Sequence, residues 1–400
     1  MIHHIIIGNG IAANTAAETI RKCDPNSSIR MFSREKHSFY YMPALPEFLA
    51  GEKDVKGLTL HNAQWYTERN IELHVSTAIA AIDPAKKTVT TAGKDTYAYD
   101  KLLLATGGYS FVPPITGADS PGVYSLRTLA DAETIKKEAA QAKKLVLIGG
   151  GLLGLEAGNG LRKAGLDVTV VEFFPRLLPR QMDVAGAAIL QQQMEAMGFR
   201  FYLGATTQEI MREGNALSVN LKSGEKIPAD MVLVSAGVRP VIDLAKQAKL
   251  VIDKALQVND SMETSIADIY AAGDCIEHKG VFYGIWPASM EQGRVAGANM
   301  AGGSEAYAGT LPANKLKVVG IDLAAAGDID ADNKLEAEVY RDPGKGLYRK
   351  FVIDNGRLVG AILFGDTRGS DAVMAAIKDK KDVSACRKQL AAHDFDFSTL

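Results

Sequence analysis

Two glycine clusters hold the residues whose types and spacing could do chemistry. Gly8-Asn9-Gly10-Ile11-Ala12-Ala13 and Gly149-Gly150-Gly151-Leu152-Leu153-Gly154 each follow a short apolar run and open a helix-forming stretch. In such a turn the first glycine permits the bend and the second lets the backbone approach a pyrophosphate. The third position, a glycine or a small residue such as Ala13, lets helix and strand pack closely. The helix N-terminus then offers unpaired N–H groups to phosphate oxygens. One copy alone is compatible with an ordinary glycine turn. Two copies 141 residues apart, each between strand and helix and each followed by an acid, point to two dinucleotide sites. Glu172 ends the strand after the second turn, 21 residues past Gly151. A carboxylate there accepts hydrogen bonds from the adenosine ribose hydroxyls and repels a 2′-phosphate, so the second site reads as one for NAD(H). Arg176 is the nearby opposing charge, and a solvated strand-end Glu is the alternative. Glu35, 25 residues past Gly10, is the candidate for the same role in the first site, with Arg34 over the adenine; plain loop charges are the alternative.

Other reactive groups are sparse. Cys23, Cys275 and Cys386 are far apart and form no CxxC or CxxxxC pair, which excludes a local redox disulfide or a thiolate metal knuckle. Small packed residues are the simplest reading for all three, and they fit a reducing cytoplasm. The seven histidines, at 3, 4, 37, 61, 74, 278 and 393, make no paired ligand spacing, so no metal site is expected. The formal net charge of −2 favours neither nucleic acid nor an anionic membrane. The first residues run straight into a strand pattern, so no signal peptide is expected, and the most apolar stretch, Leu145 to Leu155, is too short to span a bilayer.

The elements that must position these turns follow from the pattern. Ile5-Ile6-Ile7 and Leu145-Val146-Leu147-Ile148 have the continuous apolar character of buried parallel strands. Helical stretches, Ala12 to Lys22 and Leu153 to Ala164, come next, and then second strands, Ser28 to Phe32 and Asp167 to Val171. Each βαβ unit has a later strand ending in glycine: Tyr99 through Ala105-Thr106-Gly107, and Ala229 through Ala236-Gly237. Pro113-Pro114 and Arg239-Pro240 mark changes of domain. Beyond Leu311-Pro312 come strand-like runs joined at Asp354-Asn355-Gly356-Arg357, a strong hairpin signal, and a helix around Asp371 to Lys380.

Taken together the motifs resemble the FAD-dependent pyridine nucleotide–disulfide oxidoreductases over nearly the whole chain. Tyr99 through Gly107 resembles that family's second FAD motif, and Thr264 through Ala271-Ala272-Gly273-Asp274-Cys275 its late one. The resemblance assigns Asp274 a hydrogen bond to the ribityl chain and makes the first nucleotide FAD. It implies an α/β fold with two Rossmann-like, glutathione-reductase-like domains, the NAD domain inserted in the FAD domain, plus a small α+β C-terminal domain. The boundaries expected are 1–112 and 241–311 for FAD, 113–240 for NAD and 312–400 for the last domain. Gly154-Leu155-Glu156 matches the family's glycine motif followed by Glu, which places Glu156 near the flavin and the incoming nicotinamide. Phe39 through Leu45, Ser125 through Thr128, Trp286 through Gly293 and Leu316 through Gly320 are most similar to NADH:rubredoxin reductases and the flavin part of assimilatory nitrite reductases. That subgroup usually has Arg where this chain has Met42, which puts in doubt any flavin or partner contact of the Arg.

Hydride transfer from a nicotinamide to a flavin needs stacking and orientation more than a general base, so no acid–base residue is nominated. The expected FAD contacts are Gly8, Gly10, Ala13, Arg34, Glu35, Met42, Ala105, Thr106, Gly107, Gly273, Asp274, Trp286 and Ala288. The expected NAD contacts are Gly149, Gly151, Gly154, Glu156, Glu172 and Gly237. Disulfide reductases and peroxidases of this kind carry cysteine beside the flavin; Phe39 to Gly51 has none. Electrons should therefore leave directly to a small one-electron redox protein such as rubredoxin. Lys315, Lys317, Arg349 and Lys350 are candidate rim charges for such an acidic partner, with ordinary solvated charges as the alternative. A small-molecule NADH oxidase, quinone reductase or nitrite-reductase-type flavin component is the competing reading. A redox-sensing flavoprotein without turnover is the third.

Overall fold

The computed structural model describes residues 1–214, 216–392 and 394–400, so the histidine reading at position 393 lies outside the described residues. Two five-stranded parallel sheets form around the apolar runs Ile5 to Ile7 and Leu145 to Ile148. In the first the order is Ile269–Ala271, Lys101–Leu104, His3–Ile7, Ser28–Phe32 and Ile71–His74. In the second it is Arg200–Leu203, Asp167–Glu172, Lys144–Ile148, Met231–Val234 and Val123–Ser125. Ile5, Ile6, Leu102 and Leu103 are almost wholly buried, as are Leu145, Leu147, Val232 and Leu233. Strands covered on both faces carry no polar alternation, which is why they read as continuous apolar runs. Ile269 pairs with Leu102, so chain beyond the second sheet returns to the first, and the second nucleotide domain is an insertion in the first.

The contacts group into two units. One comprises Met1–Ala44, Lys53–Phe111 and Val238–Thr310; the other comprises Leu45–Glu52, Val112–Gly237 and Leu311–Leu400. Within the first unit, helix Ile11–Cys23 crosses helix Trp286–Met300 at close range. A methyl group on Gly293 would lie 2.9 Å from Ala12 Cα, and one on Gly297 at the same distance from Ala16 Cα. Only glycine permits that approach.

Within the second unit, the short helix Leu45–Leu49 packs on helix Leu152–Lys163, and Lys163 Nζ pairs with Glu52 Oε1 at 2.7 Å. The C-terminal sheet is antiparallel, in the order Ala313–Val318, Ile321–Gly327, Arg357–Phe364, Leu347–Asp354 and Glu336–Asp342. Its hairpin turn has φ of 49° at Asn355 and 76° at Gly356, the left-handed pair that an Asn-Gly turn supplies. Helix Ser370–Lys378 covers one face through Val373, Ala376 and Ile377.

The rim-charge reading fails at two positions. Arg349 and Lys350 are 3% and 1% exposed. Arg349 Nη2 reaches Asp366 Oδ2 at 2.7 Å, and Lys350 Nζ donates to Asp330 O at 2.7 Å and Asn333 Oδ1 at 2.8 Å. Both lie in the buried stretch of strand Leu347–Asp354, where their side chains are spent on internal partners. Lys315 and Lys317 stay exposed, the first paired with Asp371 at 3.0 Å. No described helix is long and apolar enough to cross a membrane.

Candidate dinucleotide-binding sites

The FAD candidates all fall in the first unit. Gly8 ends its strand with φ of 127°, and a Cβ there would run into the carbonyl of Ala105. Glycine is therefore required by both backbone angle and close approach. Gly10 caps helix Ile11–Cys23 with no side-chain hydrogen bond, and the space in front of its Cα is open. A helix N-terminus with unpaired N–H groups facing open space fits a pyrophosphate. Ala13 is buried within that helix. Thr106 Oγ1 donates to Val241 O at 2.8 Å, and Gly107 has φ of 69°. Gly273, at φ of 88°, lies against Ala12 and donates its N–H to Gln292 Oε1 at 2.9 Å. Beside it, Asp274 accepts from Ser289 Oγ at 3.2 Å. The strand ends thus bring Gly8, Ala105 and Gly273 to one side of the sheet, next to the helix start.

The remaining candidates lie elsewhere in the first unit. Glu35 lies past the end of strand Ser28–Phe32 and accepts from the Tyr40 hydroxyl at 2.8 Å, while Arg34 is exposed. Met42 opens a single 3-10 turn. Trp286 begins its helix, stacked on Phe39 at 5.9 Å between ring centroids, with Tyr41 edge-on at 5.1 Å. Ala288, in the same helix, is 1% exposed.

A polar network that sequence reasoning missed holds the first glycine turn. Asn14, 1% exposed, donates from Nδ2 to Asn9 O, Asn9 Oδ1 and Gly10 O, each at 3.0 Å. Its Oδ1 accepts from the Tyr66 hydroxyl at 2.7 Å and meets His61 Nδ1 at 3.2 Å. His61 stacks on Trp65 at 3.6 Å, and burial lowers its pKa. The one available signal was an Asn four residues past the second glycine, on the helix face that must look back at the turn.

The NAD candidates all fall in the second unit, where the same construction recurs. Gly149 has φ of 114°, and a Cβ there would run into the carbonyl of Ser235. Gly151 caps helix Leu152–Lys163 without a side-chain bond and faces open space. A methyl group on Gly154 would lie 2.9 Å from Gly149 O, so the third glycine sets the distance between helix and strand. Gly237, at φ of 109°, follows the partner strand with open space before it. Glu172 is 5% exposed: Oε1 accepts from Phe174 N at 2.7 Å and Oε2 from Gly150 N. The carboxylate is thus tied to the glycine turn itself, and each oxygen keeps a lone pair for a further donor. Arg176 donates to the carbonyls of Met182 and Pro179, both at 3.1 Å, within its own loop.

Glu156 departs from a purely nucleotide-facing role. Its Oε1 accepts the backbone N–H of Val319, at the tip of the hairpin between Ala313–Val318 and Ile321–Gly327. Val319 has φ of 55°, a strained conformation for a β-branched residue. Burial raises the Glu156 pKa above the ordinary carboxylate value. A second link to the C-terminal sheet is buried nearby in sequence. Asp183, the N-cap of helix Val184–Ala196, accepts from Gly186 N at 2.9 Å and from the Tyr348 hydroxyl at 2.6 Å, and meets Lys350 Nζ at 3.3 Å.

Two uncapped glycine turns, each between a parallel strand and its crossover helix, define a protein with two nucleotide cradles on one chain. Comparison with known proteins agrees. The family described as pyridine nucleotide-disulphide oxidoreductase matches residues 2–301, and the rubredoxin NAD+ reductase C-terminal domain matches residues 312–381. The chain belongs to the pyridine nucleotide-disulphide oxidoreductase family. It is therefore an oxidoreductase, and its cofactors are those of the family, FAD and a nicotinamide dinucleotide. It is 36% identical over 386 residues to the nitrite reductase [NAD(P)H] of Bacillus subtilis, covering 96% of this chain and 48% of that one. It is 34% identical to the NADH oxidase of Methanocaldococcus jannaschii, covering 98% of this chain and 94% of that one. Among solved structures, the NADH:rubredoxin oxidoreductase of Clostridium acetobutylicum superposes with a TM-score of 0.82 at 29% identity, covering 95% of this chain and 96% of that one. The chain spans about half the length of the Bacillus relative.

Proposed function

We propose that this chain oxidises NADH and delivers the electrons to a small one-electron redox protein of the rubredoxin class. The observation that carries the reading is the repeated cradle: Gly8 against Ala105 and Gly149 against Ser235, each ahead of an uncapped helix. In this reading residues 1–112 and 241–311 bind FAD, residues 113–240 bind NADH, and residues 312–400 form the added domain. FAD, when bound, takes a hydride from a nicotinamide and can release electrons one at a time.

The protein's own residues hold and select. Gly8, Gly10 and Ala13 receive the flavin pyrophosphate on helix Ile11–Cys23, with Asn14 bracing the turn. Asp274 accepts from the ribityl chain, and Ala105, Thr106, Gly107 and Gly273 line the strand ends. Trp286 shields the ring from water, and Met42 begins the segment beside it. Gly149, Gly151, Gly154 and Gly237 hold the NADH pyrophosphate. Glu172 accepts from the ribose hydroxyls and repels a 2′-phosphate. The cysteine-free segment from Phe39 to Gly51 provides no thiol to relay electrons. The match of the last domain to rubredoxin NAD+ reductases favours a protein acceptor over a small molecule. The three unpaired cysteines fit a cytoplasmic setting.

The test is steady-state NADH oxidation by the flavin-loaded protein against rubredoxin, ferredoxin, a quinone, ferricyanide and O2. Reduction of rubredoxin well above the rate with O2 is the expected result. Rapid O2 consumption with no reduction of any redox protein would overturn it in favour of the oxidase reading, which the Methanocaldococcus relative makes the specific competitor.

A further inference from the structure

The loop after Glu172 leaves two aromatic rings in solvent. Phe173 is 67% exposed and Phe174 47%; apart from the terminal Met1, no described large apolar side chain is more exposed than Phe173. The rings meet edge to face at 5.5 Å, and with that contact made Phe173 still presents most of its surface to solvent. The backbone around them is fixed. Phe174 N donates to Glu172 Oε1 at 2.7 Å, and Phe174 O accepts from Gly204 N at 2.9 Å. Glu172 in turn is bonded to Gly150 in the glycine turn. An exposed ring therefore stands one residue from a carboxylate anchored to the phosphate cradle, at the C-terminal edge of a parallel sheet.

A ligand that fits this row needs phosphate at the glycine turn, vicinal hydroxyls at the carboxylate and a flat apolar ring beyond them. We propose that Phe173 is the platform on which the adenine of the bound dinucleotide stacks, making it a specificity-determining residue for the adenosine half. The proposal rests on the reading of the second glycine turn as the NADH site. Adenine offers a π-face to an aromatic side chain, and the contact needs no particular hydrogen-bonding pattern. Phe174 contributes through its N–H, which holds the carboxylate, and through its ring contact with Phe173.

Calorimetric titration of the flavin-loaded protein tests this without turnover, using ADP-ribose and nicotinamide mononucleotide as separate probes. Because Phe173 is exposed, Phe173→Ala should leave the melting temperature unchanged. It should weaken ADP-ribose binding by about 10-fold, within the range that alanine substitution of a base-stacking ring produces, and leave the mononucleotide unaffected. Phe173→Trp should bind ADP-ribose at least as tightly as the wild type. Equal ADP-ribose affinity in the wild type and Phe173→Ala would overturn the platform while leaving the NADH site in place. Failure of the wild type itself to bind ADP-ribose would overturn the site assignment on which the platform depends.

Discussion

Glu172 ends its strand buried and tied to the glycine turn. Its oxygens receive the N–H groups of Gly150 and Phe174, and in the proposed reading they also accept from the ribose hydroxyls. Replacing it with Ser or Arg should lower the NADH-to-NADPH ratio of kcat/KM by at least roughly tenfold, since a charged acceptor of this kind contributes about 1.5–3 kcal/mol. Unchanged selectivity in steady-state assays with both nucleotides would refute the ribose assignment. The position of Glu172 was legible because strand length and turn spacing fix it. Its donors were not, because they depend on a loop conformation that no periodicity encodes. The same limit explains Arg349 and Lys350, which as charged strand residues read as surface although each is enclosed with its partners. Removing Asp183 by Asp183→Ala would strand the Lys350 ammonium and uncap helix Val184–Ala196. Denaturant titration should show a loss of about 3–5 kcal/mol, against a smaller loss for Lys350→Met, which leaves Asp183 its bonds from Tyr348 and Gly186.

At the level of the elements, the two strand–turn–helix units obey one steric rule. Gly8 and Gly149 must lack a Cβ because a carbonyl from the neighbouring strand occupies its place, whereas Gly10 and Gly151 face open space. Gly8→Ala should therefore lower the melting temperature and abolish FAD retention together. Gly10→Ala should fold with little change in melting temperature and lose only flavin, read from absorbance of the purified protein. Equal behaviour of the two variants would contradict the steric account. These units were readable because continuous apolar runs, glycine spacing and helical composition all agree there. The return of the chain to the first sheet at Ile269–Ala271 was implied by the motif Thr264 through Cys275, although the strand itself was not read. The grouping of Leu45–Glu52 with the second unit was not readable, since a five-residue helix carries too little pattern to name its neighbour.

Across the whole molecule, acid and base act on different groups. Burial is the main cause lowering the His4 imidazole from 6.5 to about 4, so between those values the folded state binds fewer protons than the unfolded chain. Stability present above pH 6.5 is lost as the pH falls toward 4. A His4→Leu variant should escape this loss, on the order of 2–3 kcal/mol, in denaturation series across that interval. Glu156 behaves in the opposite sense. Its raised pKa, due first to burial, gives stability that is full below the unfolded value of 4.5 and drains as the pH rises through the folded value. Glu156→Gln keeps an acceptor for Val319 N and should melt higher than the wild type at neutral pH, with the gap closing below 4.5. A gap independent of pH would show that the carboxylate is not the titrating group.

The bond between Asp183 and the Tyr348–Lys350 strand bears on how this architecture can be recombined. A chimera that took the tail from one relative and the body from another would join cleanly near Thr310 in covalent terms. It would also place a foreign strand against an aspartate with no ammonium or phenol waiting for it. Tail swaps between members of this family should therefore succeed only when the donor of the body and the donor of the tail carry the matching acid and base, so these three positions mark where inheritance of the two halves is tied.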